Sequence, residues 1–393
     1  MSSLKALLSA PATNALGEVT WDDKDTSSTW LRAGVPVSQS TYSALYAKYG
    51  LLGKTTVTFW QSGSCTVNSD SFTGIAASSS TALMVGLSGK IRSSSDGIVW
   101  TTRSPATVGQ NFRSIIYGSS LFVAAGDNGV INTSTDAVTW TRRSVASANQ
   151  INAVAYGGGL YVLAGDNEII ATSTDAITWT LRSTSLGSTS DFYGITYGNG
   201  EFIIVGNSNS TGNTSILTSA DGITWTVRSP SVTNNQLNAV TYGNNLYVAV
   251  GHANVIMTST NAITWTTRSP ATGMASQNYA SVTYAEGVYL LSGASGVSTH
   301  DLVAYSTDAI TWSLRSVPPQ SANIDSSFSI YALGYFKGKF LYGGFGYDPG
   351  AKVYVSTFGY SNLFNYDPTT QFVGPSTSPV VTNSPSNIYV KGV

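Results

Sequence analysis

"STDAITWTLRS" (173–183) decides the fold, because the chain repeats it with small changes. Its variants are "SSSDGIVWTTRS" (93–104), "TSTDAVTWTRRS" (133–144), "TSADGITWTVRS" (218–229), "TSTNAITWTTRS" (258–269) and "YSTDAITWSLRS" (305–316). The tryptophans Trp100, Trp140, Trp179, Trp225, Trp265 and Trp312 follow one another at intervals of 40, 39, 46, 40 and 47 residues. One full unit, "INAVAYGGGLYVLAGDNEIIATSTDAITWTLRS" (151–183), divides into the runs "INAVAYG", "LYVLAG", "EIIATS" and "ITWTLRS". Gly, Asn and Asp separate the runs, as tight turns require. Four short strands in a unit of about 40 residues is the period of a β-propeller blade.

Ahead of the first box, "FTGIAASSSTALMVGLSGKIRS" (72–93) supplies three strands of its unit. After the last box, "IYALGYFKGKFLYGGFGYDPGAKVYVST" (330–357) supplies three more, and "GYSNLFNY" (359–366) stands where their fourth would be. The expectation is an all-β, seven-bladed propeller: six box-bearing repeats and a degenerate closing blade. Six blades with an irregular closure is the competing count.

Each box has a physical reading. Asp96, Asp136, Asp175, Asp221, Asn261 and Asp308 fall at the turn between the third and fourth strands. A short Asx side chain there accepts backbone N–H groups of its own turn, and the Ser or Thr before it can do likewise. The Trp four residues on buries a large ring against a neighbouring blade. The Arg three further on (Arg103, Arg143, Arg182, Arg228, Arg268, Arg315) packs its stem and keeps its head wet. A residue needed identically in every blade is architecture.

These boxes resemble the Asp-box, or BNR repeat, of sialidase-like propellers, with one residue fewer between Asp and Trp. The resemblance implies that the boxes are structural and lie on the face away from any active site.

Composition narrows the function. Charged residues are 10% of the 393 and the formal net charge is −1, so no basic surplus exists for phosphate backbones or anionic lipid. The single cysteine, Cys65, excludes an intramolecular disulfide framework and a Cys-based zinc site. No secretory h-region or run of about 20 apolar residues is present, so synthesis in a cytosol without membrane insertion is expected. Sialidase chemistry asks for an arginine cluster from separate blades. Outside the boxes and Arg142, only Arg32, Arg92 and Arg113 remain. Catalysis is not expected, although separated carboxylates such as Asp166 and Asp348 would suit an acid/base pair. No cofactor is expected. His252, His300 and Asp301 are too few, on loops too long, to indicate a metal site.

Binding is expected where the repeats disagree. The loops joining second to third strands read "GLSGK", "GDNGV", "GDNEI", "GNSNSTGNTS", "GHANV", "GASGVSTHD" and "GFGYDPGAK". They share a face with the linkers between blades, whereas the box turns on the other face are nearly uniform. Variable loops on a rigid scaffold carry specificity. The candidate ligand-binding residues are Asp127, Asn128, Asp166, Asn167, Glu168, Tyr193, His252, Asn254, Tyr279, His300, Asp301, Tyr347 and Asp348. Amides and short acids hydrogen-bond hydroxyls, and aromatic rings cover apolar sugar faces, which suits a glycan.

The ends are not propeller. Within 17–53, strand-like pieces surround Trp21 and Trp30, and a helix is expected from Thr41 to Tyr49 on the spacing of Tyr42, Leu45, Tyr46 and Tyr49. "STWLRAG" (28–34), "VPVSQSTYSALYAKYG" (35–50) and, at the far end, Gln371–Pro375 and Asn387–Gly392 resemble the tail-collar domain of bacteriophage tail-fibre and tail-tip proteins. The Cys-Asp pair of that family's first turn is absent. A ring whose ends are neighbours can be inserted into a host domain. The expected division is a collar-like segment over 1–65, a propeller over 66–360, and a completing segment over 361–393. The resemblance implies a tail component of a virion, a homotrimer, bound to other tail or baseplate proteins. It implies a non-catalytic adhesin for a host-surface glycan or protein receptor. A purely structural virion protein and a glycan-cleaving enzyme are the alternatives.

Overall fold

Each repeat alternates short apolar runs with Gly- and Asn-centred turns, and each run becomes a strand paired antiparallel with the one before it. The structure, a computed structural model, describes residues 30–32, 36–38, 59–62, 71–184, 186, 190–208, 213–228, 235–270, 277–295, 302–316, 329–345, 354–357, 371–373 and 389–391. The expected helix over 41–49 lies outside them, as does 359–366.

Six four-stranded sheets are each built from consecutive strands and carry one box. Sheet 1 comprises Phe72–Ala77, Ala82–Gly86, Ile91–Ser94 and Thr101–Arg103. Sheet 2 comprises Phe112–Gly118, Leu121–Gly126, Val130–Ser134 and Thr141–Ser144. Sheet 3 comprises Ile151–Gly157, Leu160–Gly165, Ile170–Ser173 and Thr180–Arg182. Sheet 4 comprises Asp191–Gly198, Glu201–Ser208, Asn213–Ser219 and Thr226–Arg228. Sheet 5 comprises Leu237–Gly243, Leu246–Gly251, Ile256–Ser259 and Thr266–Arg268. Sheet 6 comprises Gln277–Ala285, Val288–Ser295, Leu302–Ser306 and Ser313–Ser316.

A further four-stranded sheet, sheet 7, is composite. It takes Ser329–Phe336, Lys339–Phe345 and Tyr354–Thr357 from the end of the repeats and Phe59–Ser62 from before them. This corrects the expected closing strand: the fourth place belongs to Phe59–Ser62, not to 359–366. Pairing the two ends of a repeat array in one sheet satisfies edge groups that would otherwise stay open. The first strand of every sheet touches the first strand of the next, and that of sheet 7 touches that of sheet 1. The chain is an all-β propeller.

The core lies between sheets, not within one. In sheets 1 to 6 the described residues of the second and third strands are mostly buried on both faces, as in "LFVAAG" and "VINTS" of sheet 2. Trp140 of sheet 2 packs with Leu83, Val85 and Ile91 of sheet 1, and Trp312 of sheet 6 with Val248, Val250 and Ile256 of sheet 5. Trp100 reaches sheet 7 through Phe336 and Leu341. In each case the box ring faces the preceding sheet.

The boxes act as expected of an Asx turn, with one adjustment. Asp136 Oδ1 accepts the N–H groups of Val138 and Thr139 at 2.8 and 2.7 Å, and the same pattern holds at Asp96, Asp175, Asp221, Asn261 and Asp308. The assisting hydroxyl belongs to the Ser two residues earlier, as in Ser134 to Asp136 at 3.0 Å. The residue after each Asx is left-handed: Ala137 has φ 63° and Gly97 φ 75°. Four of the six box arginines are tied down more firmly than a wet head implies. Arg103, Arg182, Arg228 and Arg268 donate through Nε to third-strand hydroxyls at 2.7 to 3.0 Å.

The chain divides into two units, one of Ser62–Val355 and one of Met1–Gln61 with Ser356–Val393. The sequence-based borders fell at 65/66 and 360/361. Within the second unit, Trp30–Arg32 pairs antiparallel with Tyr389–Lys391, and Pro36–Ser38 with Gln371–Val373. Among the described residues no helix is long and apolar enough to cross a membrane.

Candidate functional site

Every first strand of the seven sheets carries a β-bulge at its start. The register shifts between Phe72 and Gly74, Phe112 and Ser114, Ile151 and Ala153, and Phe192 and Gly194. It shifts again between Leu237 and Ala239, Tyr279 and Ser281, and Ile330 and Ala332. A bulge re-aims the extra side chain. Here the extra residues of all seven sheets line one cavity of about 480 Å³ among the first strands. They are Thr73, Arg113 and Asn152 in sheets 1 to 3, Tyr193 and Asn238 in sheets 4 and 5, and Ala280 and Tyr331 in sheets 6 and 7. The flanking residues are core: Phe72, Phe112, Ile151, Phe192, Leu237, Tyr279 and Ile330 are all buried.

Some bulge residues latch the ring. Thr73 Oγ1 donates to the carbonyl of Phe112 at 2.6 Å, Asn152 Nδ2 to that of Phe192 at 2.9 Å, and Asn238 Nδ2 to that of Tyr279 at 2.7 Å. Each bond joins one sheet to the next at a carbonyl beside a bulge. Ala280 has no donor, and Ser292 Oγ serves Ile330 instead at 3.1 Å. Gln150 and Gln236 steady the two asparagines by donating to their Oδ1 atoms at 2.6 and 2.7 Å.

Charge gathers on the side formed by sheets 2 to 4. Arg113 Nε meets Asp127 Oδ1 at 2.9 Å and its Nη2 reaches Gln150 Oε1 at 3.1 Å. Asn111 Nδ2 donates to the second Asp127 oxygen at 2.7 Å. Asp166 Oδ1 accepts from Asn152 Nδ2 at 2.6 Å. Burial holds the Asp166 carboxyl above its ordinary value, the Asn152 bond opposes this, and the Asp191 charge adds to it. Tyr193 is pushed up to about 12 by burial, with the Asp191 and Asp166 charges adding. His252 lines the cavity from the loop after the second strand of sheet 5, and burial lowers its pKa.

Of the sequence candidates, the structure brings Tyr193 and His252 to the cavity, with Asp127 and Asp166 bonded to its wall. Asn128, Asn167 and Asn254 stand at left-handed φ of 55°, 54° and 66°, a backbone reason for Asn in these turns. Asn128 Nδ2 donates to Gln110 at 2.8 Å, and Thr184 Oγ1 donates to Glu168 Oε2 at 2.7 Å. Tyr279 is corrected: it is fully buried, inside the cluster between sheets 5 and 6, and presents no ring to a ligand. Its place is that of Phe112 and Phe192, the core residue before the bulge. His300, Asp301, Tyr347 and Asp348 lie outside the described residues. Arg92, weighed as a carboxylate ligand, is buried in a third strand with a hydrogen bond to Thr102. Arg113, Asn152, Asn238 and Tyr331 were missed as a set. Their signal was a column: the second residue of "FTGI", "FRSI", "INAV", "FYGI", "LNAV", "YASV" and "IYAL" changes while its neighbours stay apolar or small.

No family model and no curated protein matches the sequence. Solved structures do match in fold. The chain is similar to YCF48 bound to D1 peptide, at 14% identity and TM-score 0.57 over 76% of this chain and 94% of that one. It is similar to a streptogramin B lyase at 13% identity and TM-score 0.63, over 76% and 97%. It is also similar to the WD40 β-propeller domain of Doa1 at 11% identity and TM-score 0.56, over 76% and 97%. At these identities the likeness is one of propeller fold.

Proposed function

We propose that the chain is a non-catalytic tail-fibre or tail-tip adhesin of a phage virion. In this reading a seven-bladed ring, closed by Phe59–Ser62, presents its loop-varied face to a host-surface receptor. The observation that carries it is the bulge column. One position in each first strand faces a shared cavity, and it holds seven side chains of five kinds while the surrounding frame repeats. Invariant frame with a varied lining is what a recognition scaffold needs. Arg113 is the only arginine or lysine lining the cavity among the described residues, and Asp127 already pairs it. That speaks against a sialidase-like carboxylate clamp.

The virion placement rests on the ends. Two stretches that resemble the collar domain at the N-terminal side pair strand by strand with two that resemble it at the C-terminal side. A split collar-like domain with a propeller inserted in it accounts for that pairing. Several copies per particle, as a trimer, would amplify weak single contacts.

The test is binding of the full chain to candidate host bacteria and their extracted surface polysaccharide, with product release followed in the same samples. Saturable binding without release supports the adhesin. Release of cut polysaccharide, or no binding to any host whose phage encodes the chain, overturns it.

A further inference from the structure

The cavity's chemistry narrows the ligand, given the adhesin reading above. Three bulge residues, Thr73, Asn152 and Asn238, spend their donors on the next sheet's carbonyl. The other four bulge residues are Arg113, Tyr193, Ala280 and Tyr331. Tyr193 and Tyr331 come from sheets 4 and 7, three places apart in the ring, so they line opposite sides of the cavity. Tyr331 is 37% exposed. Ala280, between them in sheet 6, leaves the room that an aromatic at the same position would fill.

The charges have a sign. Asp127, Asp166 and Asp191 stand on one side with a single cation, Arg113, that Asp127 already holds. An anionic ligand would meet uncompensated carboxylates. A neutral hydroxyl-rich ligand would escape that repulsion and find an imidazole in His252 and two rings for its apolar faces. The volume of about 480 Å³ lies in the range of small-ligand pockets, about 300–1,000 Å³.

We infer that the cavity is a seat for an uncharged sugar unit of the receptor, held between Tyr193 and Tyr331, and that it rejects uronic and sialic acids. The seat takes the tip or a side branch of a glycan, and the outer loops contact the rest.

The experiment probes intact protein against neutral oligosaccharides of hexoses and deoxyhexoses beside uronate and sialylated ones, with host-cell binding measured in parallel. Two variants are compared. Ala280→Tyr plugs the seat with a residue that sheets 4 and 7 already accommodate at this place. Ile263→Glu alters an exposed side chain of a box turn. Thermal unfolding checks that both are folded. The expected result is binding to neutral sugars, lost at least tenfold in Ala280→Tyr, unchanged in Ile263→Glu, and little affected by salt. Preference for the acidic sugars, or neutral-sugar binding untouched by Ala280→Tyr, overturns the seat. Cell binding without any sugar binding also overturns it but leaves the adhesin reading standing. Loss of both cell and sugar binding removes the adhesin as well.

Discussion

The Tyr247 hydroxyl donates to the carbonyl oxygen of Gly198 at 2.6 Å, tying the second strand of sheet 5 to the end of the first strand of sheet 4. Tyr161 to Gly118 and Tyr289 to Gly243 repeat the link between sheets 3 and 2 and between sheets 6 and 5. The same glycines carry a second contact. A Cβ on Gly198 would lie 2.2 Å from Cγ of Tyr242, so the ring of the next sheet occupies the place of a side chain. Tyr242 in turn packs on Tyr247 with ring centroids 4.6 Å apart. Backbone, ring and hydroxyl thus interlock at each seam.

Tyr247→Phe is expected to cost about 1 kcal/mol, the net value of a buried hydrogen bond, because Phe122 and Phe202 fill the same place elsewhere. Gly198→Ala is expected to cost more than about 3 kcal/mol, since backbone and ring must both move. Urea unfolding checks both, and a Gly198→Ala chain as stable as wild type would contradict the interlock.

The box carboxylates make stability depend on acid. The Thr139 and Val138 N–H groups hold Asp136 down from its ordinary 3.8 to about 2, and those of Thr224 and Ile223 do the same for Asp221. A depressed carboxylate stabilises the fold fully above its unfolded value and loses that contribution as pH falls through the folded one. The window is therefore from about 4 down to about 2. Asn261 supports the same turn with an amide, so the variant Asp136→Asn with Asp221→Asn should fold. It should be less stable than wild type at pH 7, with the gap closing across that window. Parallel stability curves would contradict the linkage.

The box tryptophans should dominate the seams. Trp312 is 5% exposed and donates through Nε1 to Ala309 at 3.2 Å. Trp312→Ala is expected to cost about 3–5 kcal/mol through the cavity it leaves. A loss below about 1 kcal/mol in denaturant unfolding would remove the tryptophan from the core.

Arg113 and Asp127 are partly wet, with side chains 35% and 22% exposed, so solvent screens their pairing. A double-mutant cycle with Arg113→Ala and Asp127→Ala is expected to give a coupling of about 0.5–1 kcal/mol, smaller in high salt. A coupling of zero would mean that the pair does not set the charge of the cavity wall.

The repeat made the fold legible because one turn chemistry, Asx before a left-handed Ala or Gly and then Trp, recurs wherever a third strand turns into a fourth. Phe59–Ser62 escaped because a closing strand has no box and pairs across nearly 300 residues, which no local pattern reveals. The site was half legible. Loop residues such as Asp127 and His252 stood out by composition, whereas Arg113 and Tyr331 sit inside strands and read as ordinary alternation. Only the bulge, a register feature of paired strands, turns that column inward. Tyr279 was misplaced for the same reason, since being one residue off the bulge sends a side chain into the core.

The most direct test of the proposed adhesin is the amide-exchange footprint of the full chain with and without host surface polysaccharide. Protection is expected at the starts of the first strands, residues 72–75, 112–115, 192–195 and 279–282, and at the loops that hold Asp127, Asp166 and His252. Protection confined to the box turns at 96–99, 136–139 and 221–224 would contradict the central claim and move recognition to the opposite face.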